Sequence, residues 1–427
     1  LTVTVVESLA LRMTISRFLS DPGQWPDPVE GAGALTPGKW MYAPDPTEMT
    51  AQLGGTVATN ASGARSYFFG PTRAHIVSLT IVFADGSSAI VNRDGPFEKD
   101  NCFAFIDSEG RRRTIKRPGY ESPAIKNASG YYSKKGMELI DLFIGSEGTL
   151  ALFTRIGVRL IETPRFTGGL SFFPDRSGAF GFASFLRSQP GVAAIEYFDE
   201  SALRLLARRA QGDASAIPDF PEKATTAVYW EYMETETAPF EQRLDAWEHA
   251  LIATGSSFDA TWSGFEENER EVLKGFRHAV PERINAAVAE NKRRCPSMRK
   301  ISTDTALPQE HFSKTIDDAI ALVTKARLDY ALFGHLGDFH LHCNLLPRDA
   351  GALDRALGVY EDIMDMTIAR GGTVSAEHGI GKIKTRYCAK MYGAVAMEEM
   401  ARIKTELDPM WLLGRGNLFE RLPYHIL

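Results

Sequence analysis

The sequence has few cysteines, and none of them form a recognisable motif. Its 427 residues contain four, at positions 102, 295, 343 and 388, with no Cys-x-x-Cys spacing. This argues against a disulfide framework or an iron–sulfur site in the chain and is typical of a reducing compartment. Apolar runs long enough to span a bilayer are also missing, and we expect no signal peptide. We therefore expect a cytoplasmic protein, or one held peripherally at the inner face of a membrane.

An excess of positive charge is missing as well. The chain has 48 basic and 54 acidic side chains, a net charge of -6. Its short basic runs at 111–113 and 292–294 are typical of solvated loops, so we expect no nucleic-acid partner. The composition, 44% hydrophobic and 24% charged, is that of an ordinary globular protein, and the length predicts two or more domains.

The pattern of secondary structure changes near Pro164. Before it, the sequence predicts a helix over 8–19, a hairpin over 75–89 and two strands around a glycine-rich turn over 141–160. After it, strand-like and long helix-like segments alternate, which predicts an α+β domain with an antiparallel sheet. There we predict strands at 169–173, 193–198, 227–232 and 299–303, and helices at 177–187, 201–209, 239–253, 309–327 and 352–370, with a last helix at 394–407.

Histidines are concentrated in one short window. The segment Phe333-Gly-His-Leu-Gly-Asp-Phe-His-Leu-His342 contains three of the 9 histidines, and Glu377-His378 follows in a second glycine-bounded motif. The window predicts a strand, a turn at Gly337-Asp338 and a returning strand. Because alternate residues of a strand share a face, we expect His340 and His342 to project together, with His335 across the turn.

Three imidazoles and a carboxylate are the ligand types that a borderline divalent metal takes. The alternative for such a hairpin is a set of histidines satisfied by ordinary hydrogen bonds. A single histidine would favour that alternative. The clustering of this set instead favours a metal site or a proton-transfer site.

Several segments together resemble the FAD-linked oxidases related to vanillyl-alcohol oxidase. Residues 53–63, 67–70 and 141–150 are similar to the flavin-binding signatures of that family. Residues 334–342 and 375–381 narrow the resemblance to the branch of D-lactate dehydrogenase, the glycolate oxidase flavoprotein subunit and D-2-hydroxyglutarate dehydrogenase. The resemblance implies a split FAD-binding domain, residues 1–162 with a returning segment 374–427. It also implies that residues 163–373 form an inserted α+β cap domain that binds substrate and carries the histidine hairpin.

The resemblance implies FAD as a cofactor and assigns residues to it by matching position. The first glycine-rich stretch would line the isoalloxazine ring and the pyrophosphate, and the second would hold the ribityl and adenine side. The implied FAD-binding residues are Pro46, Gly54, Gly55, Thr59, Asn60, Ser62, Gly63, Gly70, Gly145, Glu147, Gly148, Ile156 and Asn417.

The same branch implies a metal site and a catalytic set. His335, His342 and Glu377 match its metal ligands, for Zn, Mn or Fe, and His378 matches its active-site base. The remaining catalytic residues implied, both on the substrate side, are Arg277 and Asn344.

An arginine fork binds a carboxylate bidentately, which would orient the α-carbon of a 2-hydroxy acid. The alternative for Arg277 is an exposed arginine on the surface of a helix.

The sequence departs from the family's pattern at several positions. Phe339 and His340 stand where the family has small or amide residues. We expect Phe339 to narrow the substrate pocket and His340 to act as a fourth metal ligand or to support the ligands. Ser302 stands where the hydroxyglutarate enzymes carry a lysine, which disfavours that substrate. Residues 413–417 replace an Asn-Pro-Gly segment.

The family's glycine-rich pyrophosphate loop precedes the strand that opens this sequence. Such a loop presents backbone N–H groups to phosphate. We expect that upstream residues carry it, that another chain supplies it, or that the protein has lost flavin.

The expected activity is oxidation of a D-2-hydroxy acid, such as D-lactate, with hydride transfer to FAD. The metal would chelate the substrate and His378 would remove a proton. Electrons would leave to a quinone, a cytochrome, an electron-transfer flavoprotein, an iron–sulfur subunit or oxygen. The alternative is a non-catalytic or scaffolding subunit of a redox complex, and a homodimer is left open. A phenol-oxidising flavoenzyme of the same fold would leave the histidines unexplained.

Overall fold

This computed structural model describes residues 39–44, 51–96, 99–207, 220, 221 and 223–419, and the backbone alone of 2–6. The helix predicted over 8–19 lies outside these residues. The chain divides into two compact units: unit 1 comprises Leu1–Thr163 and Thr373–Leu427, and unit 2 comprises Pro164–Gly372. Among the described helices, none combines the length and the apolar character that a membrane span requires.

The described residues contain sixteen strands and ten α-helices. The strands within the described residues are β1 (Thr2–Val6), β2 (Trp40–Met41), β3 (Ile76–Val82), β4 (Ser88–Asn92), β5 (Cys102–Ile106), β6 (Arg112–Lys116), β7 (Leu152–Arg159), β8 (Ile161–Glu162), β9 (Arg165–Phe173), β10 (Val192–Phe198), β11 (Thr226–Glu234), β12 (Thr261–Gly264), β13 (Ile301–Ser302), β14 (Thr305–Ala306), β15 (Tyr330–His335) and β16 (His340–Leu345). The α-helices are α1 (Leu53–Ala58), α2 (Ser66–Phe69), α3 (Leu139–Phe143), α4 (Arg176–Ser188), α5 (Glu200–Ala207), α6 (Leu244–Ala253), α7 (Glu267–Arg294), α8 (Gln309–Lys325), α9 (Ala350–Ala369) and α10 (Thr385–Leu407).

Unit 1 contains an antiparallel sheet in the order β1-β7-β3-β4. The predicted hairpin is confirmed as β3 and β4, and Gly86 in its turn has φ +83°, a backbone conformation that favours glycine. Strand β3 buries Ile76, Leu79 and Ile81. Within the described residues, this unit also contains two small two-stranded sheets, β2-β8 and β5-β6.

The first strand predicted in 141–160 is wrong, because residues 139–143 form helix α3. A capping box starts the helix: the Glu138 carboxylate accepts from the backbone of Asp141, and the Asp141 carboxylate accepts from the Glu138 N–H. All five residues of α3 are buried. A five-residue run with a single polar residue is too short for its periodicity to separate helix from strand, so the capping residues are the useful signal.

Helix α10 is the last helix of the described residues, and it is interrupted at Gly393, where φ is +76°. Near its end the Lys404 side chain is buried, and its ammonium group donates to the carbonyls of Thr149 (2.6 Å) and Leu413 (2.9 Å) and to the Asp408 carboxylate. Burial lowers the pKa of Lys404. Burial also opposes ionisation of Asp408, but the lysine and the backbone N–H groups of 412 and 413 hold the pKa of Asp408 below its usual value.

Unit 2 is built on one antiparallel sheet in the order β12-β9-β11-β10-β15-β16, with β13 and β14 both paired to β16. Tyr197 and Phe198 are adjacent on β10 and therefore point to opposite faces. The Tyr197 ring contacts Phe180 of α4, and the Phe198 ring contacts Phe276 of α7. Helices thus cover both faces, and the predicted α+β class with an antiparallel sheet is confirmed.

We expect Asp408→Asn to lower the free energy of unfolding by about 3 kcal/mol, because it leaves the buried Lys404 cation without its counter-charge. The loss of unfolding free energy relative to the wild type should be complete above pH 3.9, which is about the pKa of an aspartate in the unfolded chain. The loss should become smaller as the pH falls through the pKa of Asp408 in the folded protein, which is lower. Urea unfolding at several pH values measures it. Glu406→Gln, which removes an exposed partner of Arg402, should change stability by less than about 0.5 kcal/mol. Equal effects of the two variants would contradict the assignment.

Candidate metal centre and flavin-binding surface

The hairpin of β15 and β16 brings the three histidines together, as predicted. Phe333 pairs with His342 across the hairpin, and a single 3₁₀ turn, Leu336–Asp338, connects the strands. Gly334 has φ +144°, and a Cβ added there would lie 3.0 Å from the His340 carbonyl oxygen. A glycine is therefore required beside the first histidine.

All three imidazole rings are buried and close together. Each ring offers one nitrogen, and these nitrogens lie within 4.8 Å of one another. The ring centroids are 4.4 Å apart for His340 and His342, 5.2 Å for His335 and His340, and 5.9 Å for His335 and His342. A tetrahedral ion with metal–nitrogen bonds of about 2.0–2.1 Å needs nitrogens roughly 3.3 Å apart. Small rotations of the rings would therefore reach that spacing, so the set fits a divalent metal.

Each histidine also has an oxygen neighbour on one ring nitrogen, within unit 2. The pairs are His335 Nδ1 with Glu196 Oε1 at 2.7 Å, His342 Nδ1 with the Thr303 carbonyl at 3.2 Å, and His340 Nε2 with Asp304 Oδ1 at 3.2 Å. The histidines are thus clustered, and His335 and His342 are also hydrogen-bonded, so the two interpretations made from the sequence do not exclude each other.

Polar side chains continue from the histidines along the same face of the sheet. Glu196 on β10 lies directly opposite both His335 on β15 and Tyr229 on β11. The Tyr229 hydroxyl donates to the buried Glu231 carboxylate. Asn344 on β16 is also buried, and its Oδ1 has no hydrogen-bond partner among the described residues. This face therefore carries ionisable groups and an available acceptor, which is unusual for a sheet interior.

Arg277 is buried, with only 6% of its surface exposed, so the alternative of an exposed helix arginine is wrong. It lies on α7, and its Nη2 is 3.3 Å from Nε2 of His278. The neighbouring Phe276 contacts Phe198, whose side chain shares a face with Glu196. Helix α7 therefore covers the sheet face that bears the histidines.

Phe339 has a left-handed backbone (φ +53°), and its ring contacts Phe312 of α8 and the Arg187 guanidinium of α4. Both helices cover the other face of the sheet, and the Phe339 side chain is half-buried. That Phe339 narrows the substrate pocket stays a prediction. Ser302 pairs with Asn344, and its hydroxyl donates to the Thr303 carbonyl.

Glu377 and His378 lie in unit 1. The Glu377 carboxylate is 3.0 Å from the Lys126 ammonium and 3.6 Å from Nε2 of His378. The His378 side chain is 59% exposed. Sequence reasoning missed Lys126, and it missed Glu196 and Asp304 of unit 2, because isolated charged residues far from a motif give no local signal.

Three glycines assigned to the flavin leave open space in unit 1. A Cβ added to Gly54 or Gly55, on helix α1, or to Gly148 would meet nothing within 4 Å. Backbone without side chains beside open space lets a planar cofactor approach closely, so these residues fit a flavin.

The second glycine-rich stretch also has a structural task. The Glu147 carboxylate accepts from the N–H groups of Ile380 (2.7 Å) and Gly381 (2.6 Å), and Asn417 donates to the Glu147 carbonyl. Burial raises the pKa of Glu147, although the hydrogen bonds from the two backbone N–H groups oppose this rise. These contacts join the glycine-rich turn to the C-terminal segment.

The other assigned residues are placed as follows. Thr59 donates to the Gly55 carbonyl, Asn60 accepts from the Arg73 N–H, Ser62 is half-buried and Gly63 donates to Ser66. Gly70 and Gly145 have positive φ, Ile156 is buried in β7, and Pro46 lies outside the described residues. Their contact with FAD stays a prediction.

Comparisons with known proteins identify the family of the chain. A family model described as "FAD linked oxidases, C-terminal domain" matches residues 166–418, and one described as "FAD binding domain" matches residues 32–91. The chain is 26% identical to a probable mitochondrial D-lactate dehydrogenase of Danio rerio, covering 97% of this chain and 71% of that protein. It is 27% identical to a D-2-hydroxyglutarate dehydrogenase of Stutzerimonas stutzeri, covering 87% and 70%.

Solved structures resemble the chain in fold. A p-cresol methylhydroxylase with bound substrate matches 91% of this chain and 72% of its own, with TM-score 0.58 and 14% identity. A 4-ethylphenol oxidase from Gulosibacter chungangensis matches 89% and 72%, with TM-score 0.59 and 15% identity. For an alkyldihydroxyacetonephosphate synthase the chain spans 59% of the solved protein, with TM-score 0.52 and 15% identity. The predicted FAD-binding fold with an inserted α+β part is thereby confirmed.

We expect Zn²⁺ or Mn²⁺ to raise the thermal unfolding temperature of the metal-free protein, because an ion that binds only the folded state stabilises it by about 2.7 kcal/mol at 100 times its Kd. His342→Asn should lose most of this shift. His311→Asn, which changes an exposed histidine at the start of α8, should retain it. Thermal scans with and without metal measure the effect, and equal shifts in both variants would count against the site.

Proposed function

This chain belongs to the FAD-linked oxidases, and we propose that it oxidises a D-2-hydroxy acid of the D-lactate kind to the 2-oxo acid. The observation that carries the proposal is the buried three-histidine cluster, beneath a helix that carries a buried arginine. A chelating metal and a guanidinium are what a 2-hydroxy carboxylate needs for binding. Relatives 24–27% identical to the chain are named D-lactate or D-2-hydroxyglutarate dehydrogenases, which supports the same class.

In this proposal the residues of unit 2 bind the substrate. Arg277 pairs with the substrate carboxylate, and burial makes such a charge-assisted pair stronger than it would be in water. Asn344 is buried and lies two residues after His342 on β16, so the two side chains share a face of the sheet. Its Oδ1 would accept a hydrogen bond from the substrate. Ser302 brings no positive charge for a second carboxylate, which favours a monocarboxylate over hydroxyglutarate.

The metal is proposed to be a divalent ion held by His335, His342 and His340, with Glu377 added from the family resemblance. When bound, such an ion lowers the pKa of the substrate hydroxyl. Burial of the three imidazoles excludes competing water from the ligands. We keep Zn, Mn and Fe as candidates, because imidazole and carboxylate ligands suit all three.

His378 is proposed as the base that takes the hydroxyl proton. It is exposed, and its Nε2 is near the Glu377 carboxylate, which would stabilise the protonated imidazole. When bound, FAD would accept the hydride equivalent from the α-carbon. The residues proposed to hold it are those with open backbone, Gly54, Gly55 and Gly148.

Electrons must then pass to an acceptor outside the chain, since its four cysteines form no cluster motif. One relative, from Saccharomyces cerevisiae, is named D-lactate dehydrogenase [cytochrome] 1 and is 24% identical. The chain covers 58% of that protein. We propose a one-electron acceptor such as a cytochrome, and the cellular compartment and a homodimer stay predictions.

We expect the purified protein to show a flavin spectrum that D-lactate bleaches without oxygen. A chelator should slow the bleaching, because removal of the ion raises the pKa of the substrate hydroxyl again. Stopped-flow absorbance measures both. L-lactate is the control for stereochemistry. A protein that stays colourless after reconstitution with FAD would overturn the dehydrogenase and favour the scaffolding subunit.

We expect Arg277→Met to lower kcat/KM for D-lactate about 10- to 100-fold, mainly through KM, because a hydrogen bond to a charged group contributes about 1.5–3 kcal/mol. Arg277→Lys should recover part of the loss, since lysine keeps the charge but not the fork. Arg293→Met, an exposed arginine on the same helix, should behave as the wild type. Unchanged kinetics in Arg277→Met would remove this residue from the substrate site.

A further inference from the structure

The three imidazoles of unit 2 share a feature that the proposed function does not use. Each ring has one nitrogen within 3.2 Å of an oxygen of the protein. Two of these oxygens belong to the carboxylates of Glu196 and Asp304, which are 3% and 1% exposed. The third is the Thr303 carbonyl.

These oxygens determine the tautomers of the rings. An ionised carboxylate and a carbonyl can only accept, so a ring nitrogen that is hydrogen-bonded to one of them carries the hydrogen. His335 is then protonated at Nδ1 and has its lone pair at Nε2. For His340, Nε2 is 3.2 Å from Asp304 Oδ1 without hydrogen-bond geometry, and the negative charge of that carboxylate favours the hydrogen at Nε2 and the lone pair at Nδ1. A lone pair is what a metal ligand must present.

The strand beside β16 is arranged to supply two of these oxygens. β13 and β14 both pair with β16, but the strand is interrupted at Thr303 and Asp304. Thr303 is fixed there by two bonds with Cys343, one through its N–H (3.1 Å) and one through its hydroxyl (3.0 Å). The interruption directs a carbonyl at His342 and a carboxylate at His340.

His340 and Asp304 form a pair at a position where the family resemblance leads us to expect a small or amide residue rather than histidine. His340 is completely buried, and its ring is nearer to His342 than the His335 ring is. A buried imidazole with one nitrogen facing a carboxylate at 3.2 Å is close to the arrangement of a metal-ligating histidine.

We propose that Glu196 and Asp304 are positioning residues that set the tautomers of His335 and His340, so that unit 2 by itself presents three imidazole ligands to a divalent transition metal. The proposal rests on the metal centre of the proposed function, and it specifies Nδ1 as the ligand atom of His340. A three-imidazole site favours Zn²⁺, Co²⁺ or Fe²⁺ over the harder ions that prefer oxygen.

The test is metal binding by the full chain, without substrate. Zn²⁺ affinity is measured by competition with a chromophoric chelator, and the visible ligand-field spectrum of bound Co²⁺ reports the ligand set. The variants are Glu196→Gln and Asp304→Asn, which keep shape and remove charge, and His340→Asn, which restores an amide. The matched control is Glu231→Gln, a carboxylate equally buried on the next strand, whose partner is Tyr229.

We expect Glu196→Gln and Asp304→Asn each to weaken Zn²⁺ binding about 10- to 100-fold, as loss of a carboxylate behind a ligating histidine does. Glu196→Asp, which keeps the charge, should recover part of the loss. His340→Asn should weaken binding more and change the Co²⁺ spectrum. Glu231→Gln should bind as the wild type. Thermal unfolding of each metal-free variant verifies that it is folded, and Asp304→Ala replaces any variant that is not.

Zn²⁺ affinity within twofold of the wild type in folded Glu196 and Asp304 variants would overturn the positioning role. An unchanged Co²⁺ spectrum in His340→Asn would overturn its role as a ligand. Neither result depends on flavin or on D-lactate. If the protein does not oxidise D-lactate but the variants change Zn²⁺ affinity as expected, the proposed reaction is rejected and the proposed metal site is retained.

Discussion

The pairing of β10 with β15 is the constraint on which the candidate site depends. It sets Glu196 opposite His335 in the sheet, and the same register sets Glu196 opposite Tyr229 on the other side. A slip of one residue would turn every side chain of a strand to the opposite face. The carboxylate would then lie among the aromatic rings of α4 and α8, and His335 would lose its partner. The backbone hydrogen bonds of the sheet therefore determine which polar side chains of unit 2 lie opposite each other.

Unit 1 depends on a comparable arrangement, in which the chain's own end is held by buried polar groups. Glu147 accepts from the backbone of 380 and 381, while Lys404 donates to carbonyls at 149 and 413. Both connect the glycine-rich stretch near residue 148 to the C-terminal segment. Gly145 and Gly148, two of the glycines attributed to cofactor binding, thus lie on a turn that also anchors the returning chain, and a substitution there would affect both tasks.

The sequence alone predicted much of this arrangement. The histidine hairpin, the strand alternation of unit 2 and most of its helices were correct, because strong periodicity and glycine-bounded turns are local signals. Helix α3 was missed because its five residues are all buried and only one of them, Asp141, is polar, which leaves no helical periodicity to recognise. The left-handed backbone of Phe339 was not predicted either, because it cannot be read from the residue type. Glu196 and Asp304 could not be predicted at all, since their value lies in contacts with histidines far along the chain.

The compact spacing of the ligands has a consequence for the order in which the site forms during folding. His335, His340 and His342 belong to one hairpin, and hairpins form in about 1–10 μs. Glu196 is 139 residues away from His335 in sequence, and contacts over such separations form slowly because long loops must close first. The imidazoles therefore assemble early, with both tautomers still populated, and the carboxylate selects between them only when the sheet is complete. A divalent ion present during folding would therefore meet the imidazoles before Glu196 is in place. It would bind whichever ring nitrogen is then deprotonated, and the ligand geometry would change when the sheet is complete.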